Sequence, residues 1–226
     1  MSKSSIHIRP VSAGSETHNQ RLKELNYVRA DLSQDNESYI VDSIANVIKD
    51  IETRYRNSRG QKMQAKATPI REGVLLIEKH HTIDDLKRLG DRLEKEFGIK
   101  TIQAYTHKDE GHWSKETGEW KPNYHAHMVF NWTDEKGKNL NLKRPDMEKM
   151  QTIVAEELGL ERGKKSGKDH ITARAFKLEK LEESISKTYQ IEKRHPGALE
   201  IIETSKTKKK ELKPLREEKK ALEFEN

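Results

Sequence analysis

Two alternating runs joined by a turn constrain this chain more than any other feature. The first is IKTIQAYTH, Ile99 to His107, and the second is YHAHMVFNW, Tyr124 to Trp132. Between them lies KETGE, Lys115 to Glu119, in which Gly118 suits the left-handed position of a type I turn with a G1 bulge. That turn pairs Lys115 with Glu119. Carried back along the ladder, it sets Ile102 against Trp132, Ala104 against Phe130, Thr106 against Met128 and Lys108 against Ala126, a largely apolar face. The other face pairs Tyr105 with Val129, His107 with His127 and Asp109 with His125. Pro122 would lack a ladder hydrogen bond opposite His112, which calls for an edge position or a break there.

Side chains alternate along a strand with period two, so His125 and His127 point the same way. A slip of one residue would put His107 on the opposite face, so the turn and the apolar alternation choose the same histidine cluster. Three imidazoles at opposite and diagonal positions can reach one cation. Neutral ring nitrogens suit Mn, Zn, Co or Ni. Asp109 or Glu110 could orient a ligand or position a water. The bland alternative is a set of solvent-exposed strand histidines.

The rest of the chain reads as helices around such a sheet. SIHIRP is a short strand ended by Pro10, and GVLLIEK is a buried strand around Val74–Lys79. Apolar residues at three- and four-residue steps predict helices over 36–55, 83–97 and 145–158. Gly98 and Gly159 stop the last two. ARAFKLEKLEESISKTY is a charged amphipathic helix, and RNSRGQKMQAK and ERGKKSGKDH are basic loops. The predicted class is α+β, a central antiparallel sheet flanked by helices. The expected domain covers residues 1–200, followed by a charged, loosely helical tail over 201–226.

Composition narrows the function. Of 226 residues, 36% are charged and 32% hydrophobic, and the net charge is +6. A basic chain gains counterion-release affinity for polyanions, so nucleic acid is a natural partner. The absence of Cys excludes disulfides, thiol catalysis and Cys-based zinc sites. The N-terminus has no apolar signal-like segment and no run reaches transmembrane length, so the expected compartment is the cytoplasm.

HKDE (His107–Glu110) followed by YHAH (Tyr124–His127) resembles the HxDE…HxH signature of MobV-type plasmid mobilization relaxases of the HUH superfamily. HNQR, His18 to Arg21, resembles the family's first motif, and LGLERGKKSGKDHITARAFK is similar to the stretch after the metal motif. The likeness covers most of residues 5–180. The family's usual PHxH is YHAH here, and the spacer between the two motifs is longer. The chain is short for a relaxase, as a catalytic portion would be.

The resemblance implies a bacterial enzyme that nicks one strand at the transfer origin of a mobile element and stays joined to the 5′ phosphate. Its implied partners are single- and double-stranded DNA and other mobilization proteins. Its implied cofactor is a divalent ion, Mn²⁺ or Mg²⁺ first, with Zn²⁺, Co²⁺ or Ni²⁺ as alternatives. His107, His125 and His127 match the metal ligands, Glu110 the acid beside them with Asp109 as its neighbour, and His18 the nucleophile. Tyr27 and Tyr39 are the alternative nucleophiles. Arg21 and Arg29 could fork phosphates. Trp113 and Trp120 could stack on single-stranded bases, or simply on each other. Two other readings compete: a rolling-circle replication initiator of the same superfamily, and a non-catalytic nucleic-acid-binding module with a structural metal.

Overall fold

In a computed structural model, the described residues are 2–25, 27–114, 117–163 and 173–194. The chain divides into two compact units, Met1–Lys164 and Lys165–Asn226. The first holds a five-stranded sheet, antiparallel throughout, in the order β1 (Ile6–Pro10), β3 (Ile70–Leu76), β7 (His125–Asn131), β4 (Lys100–His107), β2 (Ser38–Ile40). The expected antiparallel sheet flanked by helices is therefore what the chain builds.

Helices α3 (Ile83–Phe97) and α4 (Arg144–Glu157) cover one face. Leu86, Leu89 and Leu93 of α3 recur at helical spacing and are fully buried against Ala104, Ala126, Met128 and Phe130 of the sheet. Asp85 caps α3 by accepting from Thr82 N at 2.7 Å. On the other face α2 (Ile44–Arg59) buries Ile44 and Ile51 against Ile70, Ile102 and Val129. Near the histidines the short helix α1 (Ser15–Asn19) meets Glu72 and His107 instead, and the 3-10 turn Ala30–Asp35 reaches Asp109 through Ser33.

The predicted helix over 36–55 is corrected at its start. Ser43 is its N-cap, accepting from Asn46 N, and residues before it are not helical. Tyr39 and Ile40 instead pair with Ala104 and Gln103 at the sheet edge.

The predicted ladder is also corrected, by two residues. Tyr105 pairs with His127, Thr106 with Ala126 and His107 with His125. Two one-residue departures produce the shift. At the turn, Ser114 N donates to Glu119 O and Gly118 N to Ser114 O, so Ser114 takes the place expected for Lys115, with Gly118 still left-handed at φ 67°. Below the turn, β5 (Gly111–Trp113) and β6 (Trp120–Pro122) form a separate two-stranded sheet pairing Gly111 with Pro122. Between this pair and His107/His125 stand Lys108–Glu110 on one strand but only Asn123 and Tyr124 on the other. The departures add to two, so side chains around the histidines keep their faces. Near the far end a bulge between Thr101 and Gln103 moves Ile102 from the expected apolar pairing to the α2 side.

The second unit contains α5 (Ala173–Arg194), where the charged amphipathic helix was expected, with Leu178 and Ile185 buried. The expected tail over 201–226, the boundary near 200 and most of the ERGKKSGKDH loop lie outside the described residues. No helix among the described residues is long and apolar enough to cross a membrane.

Candidate metal and catalytic centre

The end of β4 and the start of β7 bring His107, His125 and His127 together, with ring centroids 4.8–5.1 Å apart. All three are buried. Each has one ring nitrogen engaged on the side away from the others. His107 Nε2–H donates to Asn19 O at 3.2 Å, His125 Nδ1–H to Asn123 O at 2.8 Å, and His127 Nδ1–H to Glu72 Oε1 at 2.7 Å. These acceptors have no proton to give, so each imidazole must donate outward. The inner nitrogens, His107 Nδ1, His125 Nε2 and His127 Nε2, are left as lone pairs. Two of them face each other across only 3.3 Å.

That approach is repulsive unless a positive charge lies between the nitrogens. A proton is a poor candidate. Burial, with Arg21 and the neighbouring imidazoles adding to it, pushes His107 down to about 2. Burial chiefly also lowers His125. A divalent cation suits the donor set, because outward hydrogen bonds fix the tautomers a metal requires.

Sequence reasoning missed the residue that holds His127. Glu72 lies on β3 opposite Val129, fully buried, and its carboxylate is a hub. Besides His127 it accepts from Asn19 Nδ2 at 3.0 Å, Ser15 Oγ at 3.2 Å and Arg9 Nε and Nη2 at 3.1 and 2.8 Å. Burial opposes its charge, but these donors outweigh it and hold the carboxyl well below its usual range. The available signal was an acid inside an otherwise buried strand, IREGVLL. Asn19 and Asn123 hold their imidazoles through backbone carbonyls, which carry no such signal.

Helix α1 brings His18 to the same centre. Ser15 and Asn19, one turn apart, are buried toward Glu72, and His18 lies between them in sequence. Its ring centroid is 5.2 Å from His107 and 5.1 Å from His127. One ligand atom from each of the four histidines lies within 4.8 Å of the others. Burial lowers His18 below its ordinary value, partly offset by Glu110. It differs from the other three in exposure, with 27% of its side chain accessible.

The two acids of HKDE separate. Glu110 Oε1 lies 3.4 Å from His18 Nε2 and 3.6 Å from His107 Nδ1, and Oε2 lies 3.7 Å from His125 Nε2. Asp109 does not face His125, because it lies in the break between the two ladders. Its carboxylate receives Arg21 Nε and Nη2 at 3.1 and 2.7 Å, Ser33 Oγ at 2.7 Å and Asn36 Nδ2 at 2.7 Å. Burial opposes the charge, but these bonds prevail and hold Asp109 at about 2. Arg21 also reaches Glu110 Oε1 at 2.9 Å and His18 O at 3.1 Å. It therefore ties both acids to the chain around His18, from a left-handed backbone at φ 56°.

The remaining candidates are scattered. Arg29 pairs with Asp31, and its guanidinium lies 5.7 and 5.6 Å from the rings of Trp113 and Trp120. The two indoles touch edge to face at 5.5 Å. Tyr27 stands near Glu110, and burial and then that charge raise its phenol. Tyr39 pairs with Ala104 on the α3 face, under Lys87 of α3, so its side chain is on the side of the sheet opposite the histidines.

An antiparallel α+β domain with a convergent histidine centre at one strand end defines a class of candidate metalloenzyme. The family follows from sequence: the model for MobA/VirD2-like relaxase nuclease domains matches residues 27–163, more than half of the chain, and the chain belongs to that family. The match begins after His18. Two solved structures share the fold. Both are of the MobM relaxase domain (MOBV; Mob_Pre) bound to plasmid pMV158 oriT DNA, Mn-bound, with 22 and 23 nucleotides. They are 17% and 16% identical, with TM-scores of 0.58 and 0.57, and each match covers 78% of this chain and 98% or 97% of the other. No curated protein sequence matches.

Proposed function

We propose that this relaxase nicks one strand of DNA at the transfer origin of a mobile element, in the bacterial cytoplasm. In this reading His107, His125 and His127 hold a divalent ion and His18 is the nucleophile. The observation that carries it is the set of three inward lone pairs, two of them 3.3 Å apart, beside a fourth, more accessible histidine. Mn²⁺ is the ion favoured, because the MobM structures are Mn-bound and imidazole donors disfavour Mg²⁺.

When bound, the ion would neutralise charge on the scissile phosphate. The chain's own groups do the rest. Glu110 Oε1 faces His18 Nε2 at 3.4 Å without a hydrogen bond between them, and its negative charge favours the tautomer with the proton on Nε2, which presents the other nitrogen's lone pair. That nitrogen forms a bond to phosphorus as the bond to the 3′ oxygen breaks. The 3′ oxygen takes a proton from solvent, and the 5′ phosphate stays on His18 as a phosphoramidate, ready for rejoining. Arg21 keeps Glu110 and the His18 carbonyl in place.

A second reading has one specific support: the four imidazoles are close enough for His18 to be the fourth ligand of a closed structural site. One experiment separates the two. Labelled single-stranded oligonucleotides tiling candidate origins are incubated with Mn²⁺ or EDTA and run on denaturing gels. A metal-dependent nick with a covalent protein–DNA band, lost in His18→Ala, is expected. Nicking that survives His18→Ala but not Tyr27→Phe moves the nucleophile to Tyr27. No nick, together with unfolding in EDTA, establishes the structural site.

A further inference from the structure

Among the described residues, none in β5 or β6 itself bonds to the four histidines, yet the hairpin is rooted among them. Gly111 follows Glu110, and its N donates to Tyr27 O at 3.3 Å. The returning strand is anchored by Asn123 N to Glu110 O at 2.8 Å, and Asn123 O holds His125. Arg29 N donates to Asp109 O at 2.8 Å, which fixes the arginine beneath the hairpin. A two-stranded ribbon alone is marginal in water. This one is bonded to the centre at both feet.

Its two tryptophans are not equivalent. Trp120 is clamped over Gly111: a Cβ there would stand 2.6 Å from the indole ring and 2.4 Å from Lys121 O. Trp113, its cross-strand partner, is 60% exposed. One side of Trp113 meets Trp120 edge to face, and the guanidinium of Arg29 lies against both rings. Packing explains Trp120. It does not explain why the largest side chain is spent on an exposed position, where it forgoes most of its burial gain.

We infer that Trp113 is a stacking platform for one unpaired base of the DNA strand whose phosphate enters the histidine centre. Trp120, Arg29 and Gly111 are its rigid backing. The inference rests on the nicking function proposed above. Trp113 is three residues from Glu110, about 10 Å along an extended strand, so the base belongs to a nucleotide close to the scissile one. An aromatic ring takes any base on its π-face, which makes the contact tolerant of sequence but demanding of single-strandedness. The ring is held by its neighbours before the strand arrives, so little side-chain entropy is lost on stacking.

The test uses the full chain with Mn²⁺ and fluorescent single-stranded oligonucleotides carrying an abasic nucleotide at successive positions around the nick. Trp113→Ala is expected to weaken binding of the intact strand about tenfold, and Trp113→Phe to restore most of it. In the wild type, one abasic position should cause a similar loss, and that position should cost Trp113→Ala nothing further. The inference is overturned if Trp113→Ala binds as the wild type does, which would leave Trp113 as a protein contact. It is equally overturned if every abasic position costs variant and wild type the same. A wild type that neither binds nor nicks the intact strand would instead overturn the nicking function itself.

Discussion

Glu72→Gln separates a hub from a bystander. The carboxylate is fully buried and uses both oxygens as acceptors: Oε1 for His127 and Asn19, Oε2 for Arg9 and Ser15. An amide has the same shape but turns one oxygen into a donor. Its better orientation keeps oxygen toward His127 and Asn19 and sets the NH₂ against Arg9 and Ser15. Ser15 can rotate to accept, and the half-exposed Arg9 can swing into water. The loss is then about one charge-assisted hydrogen bond, on the order of 2 kcal/mol. The amide also no longer enhances the basicity of His127, which lowers metal affinity by about 10–100-fold. Urea denaturation of the metal-free protein measures the first effect, and calorimetric titration with Mn²⁺ the second. The carboxyl of Glu72 is held below its usual range, so its stabilisation is present at neutral pH. That stabilisation fades as pH falls below about 4.5, and the variant should converge on the wild type in acid. Stability within about 0.5 kcal/mol of the wild type at pH 7, together with unchanged Mn²⁺ affinity, would refute the hub.

Other changes probe the supports around the centre. Arg21→Met leaves the Asp109 carboxylate buried without its cation and should cost about 3 kcal/mol, read by chemical denaturation. Asp85→Ala removes the α3 cap and should cost about 1 kcal/mol at pH 7. Because Asp85 is held below its ordinary value by Thr82 and Arg88 against a burial penalty, that difference should shrink as pH falls below about 4. Gly111→Ala forces the indole of Trp120 off the hairpin. It should shift tryptophan emission to the red and destabilise the protein by about 1–3 kcal/mol, while Gly14→Ala, which meets nothing within 4 Å, serves as the silent control.

What the sequence determined by itself was parity. Period-two alternation in IKTIQAYTH and YHAHMVFNW required His107, His125 and His127 to share a face, and any error of two residues preserved that result. Helical periodicity likewise placed α3 at Ile83–Phe97, because its apolar stripe and its stop signal lie in the segment itself. The motif order was enough for the family resemblance, and hence for naming His18 and Glu110 as candidates, which the fold sets beside the three histidines. Tertiary structure decided everything that depends on distance between segments. It set the register, since one extra turn residue and one extra strand residue have no local signature. It sent Asp109 to Arg21 and Glu110 to the histidines, because the ladder breaks between them. It recruited Glu72, Asn19 and Asn123 to fix three tautomers. A hydrogen-bond acceptor acts through where it stands, and for Asn19 and Asn123 the acting group is a backbone carbonyl that every residue carries.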